Sequence, residues 1–165
     1  MRPSRLAALL TPLILILIAV FTNCSSTGGN TGVNGAGNTV SNAANSSPND
    51  KVEELAMLVR LPFEPEEVAW KEDATKKQLV AVMRYSPENA GKFSAEIEKM
   101  GQPSVEDLPV ESWYPAELVA QGELTGESTV KGTSFPADPL LNPPYTKGKI
   151  TRVDNTDYFI LQISS

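Results

Sequence analysis

Apolar and polar positions divide the chain into three stretches. Leu6 to Phe21 (LAALLTPLILILIAVF) is apolar apart from Thr11 and Pro12. Ser25 to Asp50 is dominated by Gly, Ser, Asn and Thr, with two valines and a few alanines and no charge before Asp50. From Lys51 onward, short apolar patterns alternate with turn residues. Val52, Leu55, Leu58 and Val59 share one face at helical spacing. Asp50 with Glu53 three residues later has capping-box spacing, and Pro62 ends this helix because the residue before a proline avoids the helical region.

Glu67 to Lys71 (EVAWK) alternates Val68 and Trp70 against charges and reads as a strand. Gln78 to Tyr85 (QLVAVMRY) is rich in β-formers, and the polar turn Asp73 to Lys77 between the two predicts an antiparallel hairpin. Ser86-Pro87-Glu88 is a helix start, with a serine cap, proline at the first helical position and an acid in the first turn. Ala90, Phe93, Ile97 and Met100 form its apolar stripe, which reads as core, and Gly101 is its stop. The proline-rich section Gln102 to Lys149 reads as turns. Within it lie a short helix Pro115 to Gln121 ending at Gly122, a weak strand near Ser128 to Lys131, and an ordered surface loop. Lys149 to Val153 and Asp157 to Ile163 flank an Asp-Asn turn and predict a second hairpin. Both faces of the last strand are apolar, with Phe159, Leu161 and Ile163 on one side and Tyr158, Ile160 and Gln162 on the other, so it belongs at the centre of a sheet. The expected fold is α+β: two hairpins in one small antiparallel sheet, with one or two helices packed on it.

The N-terminal stretch has a different purpose. Arg2 and Arg5 precede the apolar run, and small or polar Thr22 and Asn23 follow it, which is the layout of a secretory signal peptide. Cys24, the single cysteine of the chain, comes next, followed by Ser25 and Ser26. Residues 1–26 resemble the bacterial lipoproteins, whose signal peptides end in a lipobox. In Phe21-Thr22-Asn23-Cys24, Thr22 matches that pattern, Asn23 is a relaxed version of it, and Phe21 replaces the usual aliphatic residue. The resemblance implies a diacylglycerol on the Cys24 thiol, cleavage just before Cys24, and acylation of the new amine. Serine at position 25 implies the outer membrane in a cell that has one. Two or three acyl chains on one residue anchor durably, since each buried CH₂ contributes about 0.8 kcal/mol. The alternative is an uncleaved signal anchor, with Cys24 incidental.

Ser25 to Asp50 cannot bury enough apolar surface to offset its ordering entropy. It reads as a tether with a root-mean-square reach of roughly 28 Å. The domains expected are therefore 1–23 signal peptide, 24–50 acylated cysteine and linker, and 51–165 globular domain.

Charge and chemistry then narrow the function. Without Arg2 and Arg5 the chain carries 12 basic against 20 acidic side chains, or −8. Lys76-Lys77 is its one adjacent basic pair, so phosphate-directed binding of nucleic acid is not expected. With no histidine, histidine-based nucleophile systems and metal sites are excluded. Carboxylates are plentiful: Glu64, Glu66 and Glu67; Glu106 and Asp107; Asp154 to Asp157. None has spacing that marks an acid/base pair. Asp154, Asn155 and Asp157 lack the glycine and distal glutamate of a calcium loop and read as a hairpin turn. The glycines near Gly29 lack the strand, helix and lysine of a phosphate loop. Trp70, Trp113, Tyr114, Phe135 and Tyr145 would make a contact patch for protein or glycan if exposed, and core if buried; burial is expected. The expectation is a lipid-anchored cell-envelope protein with a noncatalytic binding or structural domain and no cofactor. It would meet the membrane through its anchor and an envelope protein or glycan through its domain. The alternative from a different class is an envelope enzyme using paired carboxylates.

Overall fold

The computed structural model describes residues 47–165. The signal peptide, Cys24 and nearly all of the linker lie outside the described residues.

Strands β1 (Glu67–Asp73), β2 (Gln78–Arg84), β3 (Ser104–Pro109), β4 (Thr129–Pro136), β5 (Lys147–Val153) and β6 (Tyr158–Ser164) form one sheet. Their order is β1-β2-β6-β5-β4-β3, and every pairing is antiparallel. With α1 (Val52–Leu58), α2 (Pro87–Ile97) and α3 (Ala116–Thr125), this is an α+β fold. Both expected hairpins are present, β1–β2 and β5–β6, and β6 sits at the centre between β2 and β5.

The register explains the first face. Val68 stands opposite Met83, which stands opposite Phe159, while Leu79 pairs with Ile163 and Ile150 with Leu161. These side chains are buried in one cluster with Leu55 and Val59 at α1 and Ala90, Phe93 and Ile97 from α2. Phe93 lies 4.9 Å from Phe159 and 5.1 Å from Tyr85, centroid to centroid. Such aromatic pairs add about 0.5–1.5 kcal/mol each beyond area burial. Ser86 caps α2 as expected, its Oγ accepting from the Asn89 N–H at 3.3 Å, with Pro87 at the first helical position.

Helix α1 begins one residue later than the capping pattern suggests, with Lys51 rather than Asp50 at the N-cap. The backbone of Asn49 pairs with Trp70 on the outer edge of β1, both bonds 2.8 Å, and this fixes the chain just before the helix. The helix also stops before Pro62 acts, because Val59 turns extended and bridges to Leu141.

The larger departure lies in 102–149. This section contributes β3, β4 and a longer α3, so the sheet has six strands instead of four. Strand β4 (TVKGTSFP) carries Gly, Ser and Pro, residues of weak β preference, and its extended form is imposed by partners on both sides. Helix α3 runs through Gly122 and ends at Gly126, whose φ of +73° suits glycine. Gly122 serves packing instead, since a Cβ there would lie 3.1 Å from Val110 Cγ2.

On the second face, Tyr114 and Leu118 cover Val82, Val130, Val153 and Ile160 in a smaller cluster. The cover extends over only one end of that face. Among the described residues no helix is long and apolar enough to cross a membrane.

Candidate functional site

The uncovered end of the second face is the candidate site, and strand register composes it. One row across the strands reads Lys71, Val80, Gln162 and Lys149. The next row outward reads Asp73, Gln78, Ser164 and Lys147. Val80, Gln162 and Lys149 are half-buried, and Gln78 and Lys147 are exposed. Two depressions lie over these rows. One, of about 310 Å³, runs from Lys71 and Trp113 to Gln78. The other, of about 410 Å³, runs from Gln78 past Gln162 to Lys147 and Lys149. They share Gln78 and Val80 and so form one shallow groove across β1, β2, β6 and β5.

A hydrogen-bonded network borders the groove on the β4 and β3 side. Lys149 Nζ bonds the Glu106 carboxylate, and the Ser104 hydroxyl donates to Glu106 Oε1 at 3.2 Å. Ser134 and Thr151 sit opposite each other in register with their hydroxyl oxygens 2.5 Å apart. They are 2% and 0% exposed, and with Ser94 they are the buried polar residues among those described. Ser134 also reaches Glu106, which makes a chain of hydroxyls ending on a carboxylate. The bond from Lys149, ahead of those from Ser104 and Ser134, holds the Glu106 carboxyl below its usual range. A depression of about 270 Å³ lined by Ser104, Glu106, Ser134 and Lys149 joins the groove at Lys149.

One atom in this region is left without a partner. Gln162 Oε1 is buried and makes no hydrogen bond among the described residues. A buried unsatisfied acceptor costs about 1–3 kcal/mol. Gln162 itself lines the groove in the row between Val80 and Lys149, while this oxygen is closed off from solvent beneath the surface.

The acids singled out in the sequence fall into separate places. Glu66 and Glu67 both hold Arg84, at 2.9 and 2.7 Å, and Arg84 lowers the Glu67 pKa. Glu64 and Asp107 are exposed. Asp154 and Asn155 occupy the β5–β6 turn, with Asn155 at φ 59°, and Asp157 follows them. Among the described residues no group of three potential ligands could hold a metal ion. Only Glu106 belongs to the groove region. Tyr158, pushed up to about 12 chiefly by burial, donates to Glu117 at 3.2 Å beneath α3.

Of the aromatics, Trp70, Tyr114, Phe135 and Tyr145 are buried, as expected. Trp113 is half-buried at the rim of the groove. Its Nε1 donates to Glu111 at 2.7 Å, and Lys71 Nζ lies 5.5 Å from its ring centroid. The Tyr145 hydroxyl donates to Glu72 at 2.5 Å and ties the loop before β5 to β1.

Sequence reasoning missed this groove. Its residues are single polar positions on four strands, and only the pairing brings them together. The one available signal was Gln162, which interrupts the apolar alternation of β6. Chemically, the groove offers amide and ammonium groups together with the carboxylates of Glu72, Asp73 and Glu111 on a fixed sheet. The Ser134 hydroxyl is buried and already bonded, and the Lys149 ammonium is paired, so neither is placed as an attacking group. This arrangement suits holding a polar ligand. No family model, curated protein or solved structure matches the chain.

Proposed function

We propose that the protein is a lipid-anchored cell-envelope protein. Cys24 carries the lipid, and the α+β domain makes a noncatalytic contact with another envelope component. The observation that carries this reading is the order of Arg2 and Arg5, the apolar run Leu6 to Phe21, and Cys24 followed by an uncharged polar spacer. A lipid on Cys24 would hold the chain on the exported side, in the outer membrane where one exists. Residues 25–50 would give the domain room to reach a partner. The ordered pairing of Asn49 with Trp70 marks where that spacer meets the domain.

The character of the domain supports a binding role. Glu66 and Glu67 are held by Arg84 and Glu106 by Lys149, and the groove is a shallow sheet surface. The competing reading, an enzyme with paired carboxylates, would need two acids facing each other across a cleft about 5–10 Å apart.

Fractionation of host cells tests the anchor. The wild-type chain is expected to sediment with membranes, to resist extraction by high salt and to dissolve in detergent. Cys24→Ser should move to the soluble exported fraction or remain as an unprocessed precursor. If Cys24→Ser is processed and held in the membrane like wild type, the anchor is not the lipid on Cys24.

A further inference from the structure

We infer that strand β3 pairs edge to edge with β3 of a second copy of this chain, which joins two six-stranded sheets into one. This needs neither the lipid nor the groove.

The two edges of the sheet differ. Along β1, the backbone of Asn49 bonds Trp70 in both directions at 2.8 Å, so the chain covers that edge itself. Along β3, no described residue pairs on the outer side. The ladder to β4 shows which groups are left over. The Val110 N–H donates to the Ser128 carbonyl at 2.8 Å. Bonded pairs alternate along an antiparallel ladder, so Leu108–Val130, Glu106–Gly132 and Ser104–Ser134 are bonded as well. Val105 and Asp107 therefore turn their N–H and C=O groups outward. Pro103 just before the strand and Pro109 at its end have no N–H to give. An edge with two donors between two prolines accepts a short pairing and blocks a long ladder.

Charge selects the register. A two-fold pairing centred on Glu106 sets glutamate against glutamate, and one centred on Asp107 sets aspartate against aspartate. Like charges directly opposite are destabilising. Centred on Val105, the pairing sets valine against valine on the first face. It sets Glu106 of each copy against Ser104 of the other on the second face. Ser104 already donates to Glu106 within one chain at 3.2 Å, so the same bond is available between copies. Asp107 then faces Pro103, which has a carbonyl to accept and no N–H to leave unpaired. Val105 is 77% exposed, whereas Leu108 of the same strand is buried. The edge is thus complementary to itself in backbone groups, in charge and in its exposed apolar side chain. Two-fold pairing uses both open edges and leaves the covered β1 edges outside, so assembly stops at the dimer.

Sedimentation equilibrium of the full chain in density-matched detergent tests the proposal. The wild type should show a concentration-dependent monomer–dimer equilibrium. Val105→Lys sets like charges across the two-fold axis and should weaken the dimer at least tenfold. Leu124→Lys, at an exposed leucine of α3, should leave it unchanged. A wild type that is monomeric at every concentration overturns the proposal. So does an unchanged dimer in Val105→Lys, or an equal loss in Leu124→Lys. Cross-linking under mild oxidation tests the register in chains that also carry Cys24→Ser. Val105→Cys should form a disulfide between copies, and Asp107→Cys and Leu124→Cys should form far less. No link at Val105→Cys, or equal linking at either other position, contradicts the pairing. Val105 and Asp107 are exposed, so these changes leave the core intact.

Discussion

The two faces of the sheet are made by the same six strands and have opposite fates. On the first, α1 and α2 lie over β1, β2, β6 and β5, and the side chains beneath form the larger core. On the second, α3 and the Trp113–Tyr114 pair cover one end and leave the other to solvent. Strand β6 records the split within seven residues. Phe159, Leu161 and Ile163 face the sealed side without exception, whereas the other side runs Tyr158, Ile160, Gln162, Ser164 from covered to open. The sealed face stabilises the fold, and the open end tolerates an unsatisfied amide and ion pairs that contribute little. Sites that spend stability in this way are where function is expected.

The comparison breaks most visibly at the aromatic cluster. Phe159→Ala should cost about 3–5 kcal/mol in urea unfolding, because Phe159 is fully buried against Tyr85 and Phe93. That is a large share of a typical domain stability of about 5–15 kcal/mol. A loss under 1 kcal/mol would mean the first face is not the main core.

On the second face the effects shrink and change sign. Gly132→Ala places a Cβ 2.4 Å from the Arg152 carbonyl and 2.6 Å from Thr151 Cγ2, so β4 must shift away from β5. The expected loss is about 1–3 kcal/mol by thermal or urea unfolding. Gln162→Met keeps the side-chain length and removes the orphaned oxygen, so stability should rise by about 1 kcal/mol in urea unfolding. A less stable variant would show that the Gln162 amide contributes to the fold instead.

The smallest expected effect is the pH response of the Glu106–Lys149 pair. The folded-state pKa of Glu106 is depressed, with Lys149 as the largest cause. Its contribution is therefore present above the ordinary carboxylate value of 4.5 and lost as pH falls through the lower folded value. Both side chains are partly exposed, so the amount is about 0.2–1 kcal/mol. Lys149→Met should flatten that part of the acid unfolding curve. An unchanged curve would show that the pair does not stabilise the network.

Legibility followed the same division. Helix α2 and strands β2 and β6 could be read because the first face imposes strict periodicity on them, together with a serine cap and an Asp-Asn turn. Strand β4 could not, because Gly132, Ser134 and Pro136 are poor β-formers whose extended form comes from β3 and β5. For the same reason α3 looked as though it ended at Gly122, a glycine kept small by Val110 rather than by a helix stop. The groove was still less legible. Lys71, Gln78, Lys147 and Gln162 lie far apart in the chain, and their adjacency exists only once the strand order β1-β2-β6-β5 is known. The lipid-attachment signal is the reverse case. It is local, contiguous and chemical, and it can be read without any fold.

The most direct test of the account as a whole is fatty-acid labelling in the native host, with wild type and Cys24→Ser compared by mass and by label. The account predicts label in the wild type alone, on a mature chain beginning at Cys24. An inhibitor of signal peptidase II should also leave a heavier, unprocessed precursor. Equal label in both chains, or none in either, would contradict it and make residues 6–22 a membrane anchor or an ordinary cleaved signal, with Cys24 a bystander.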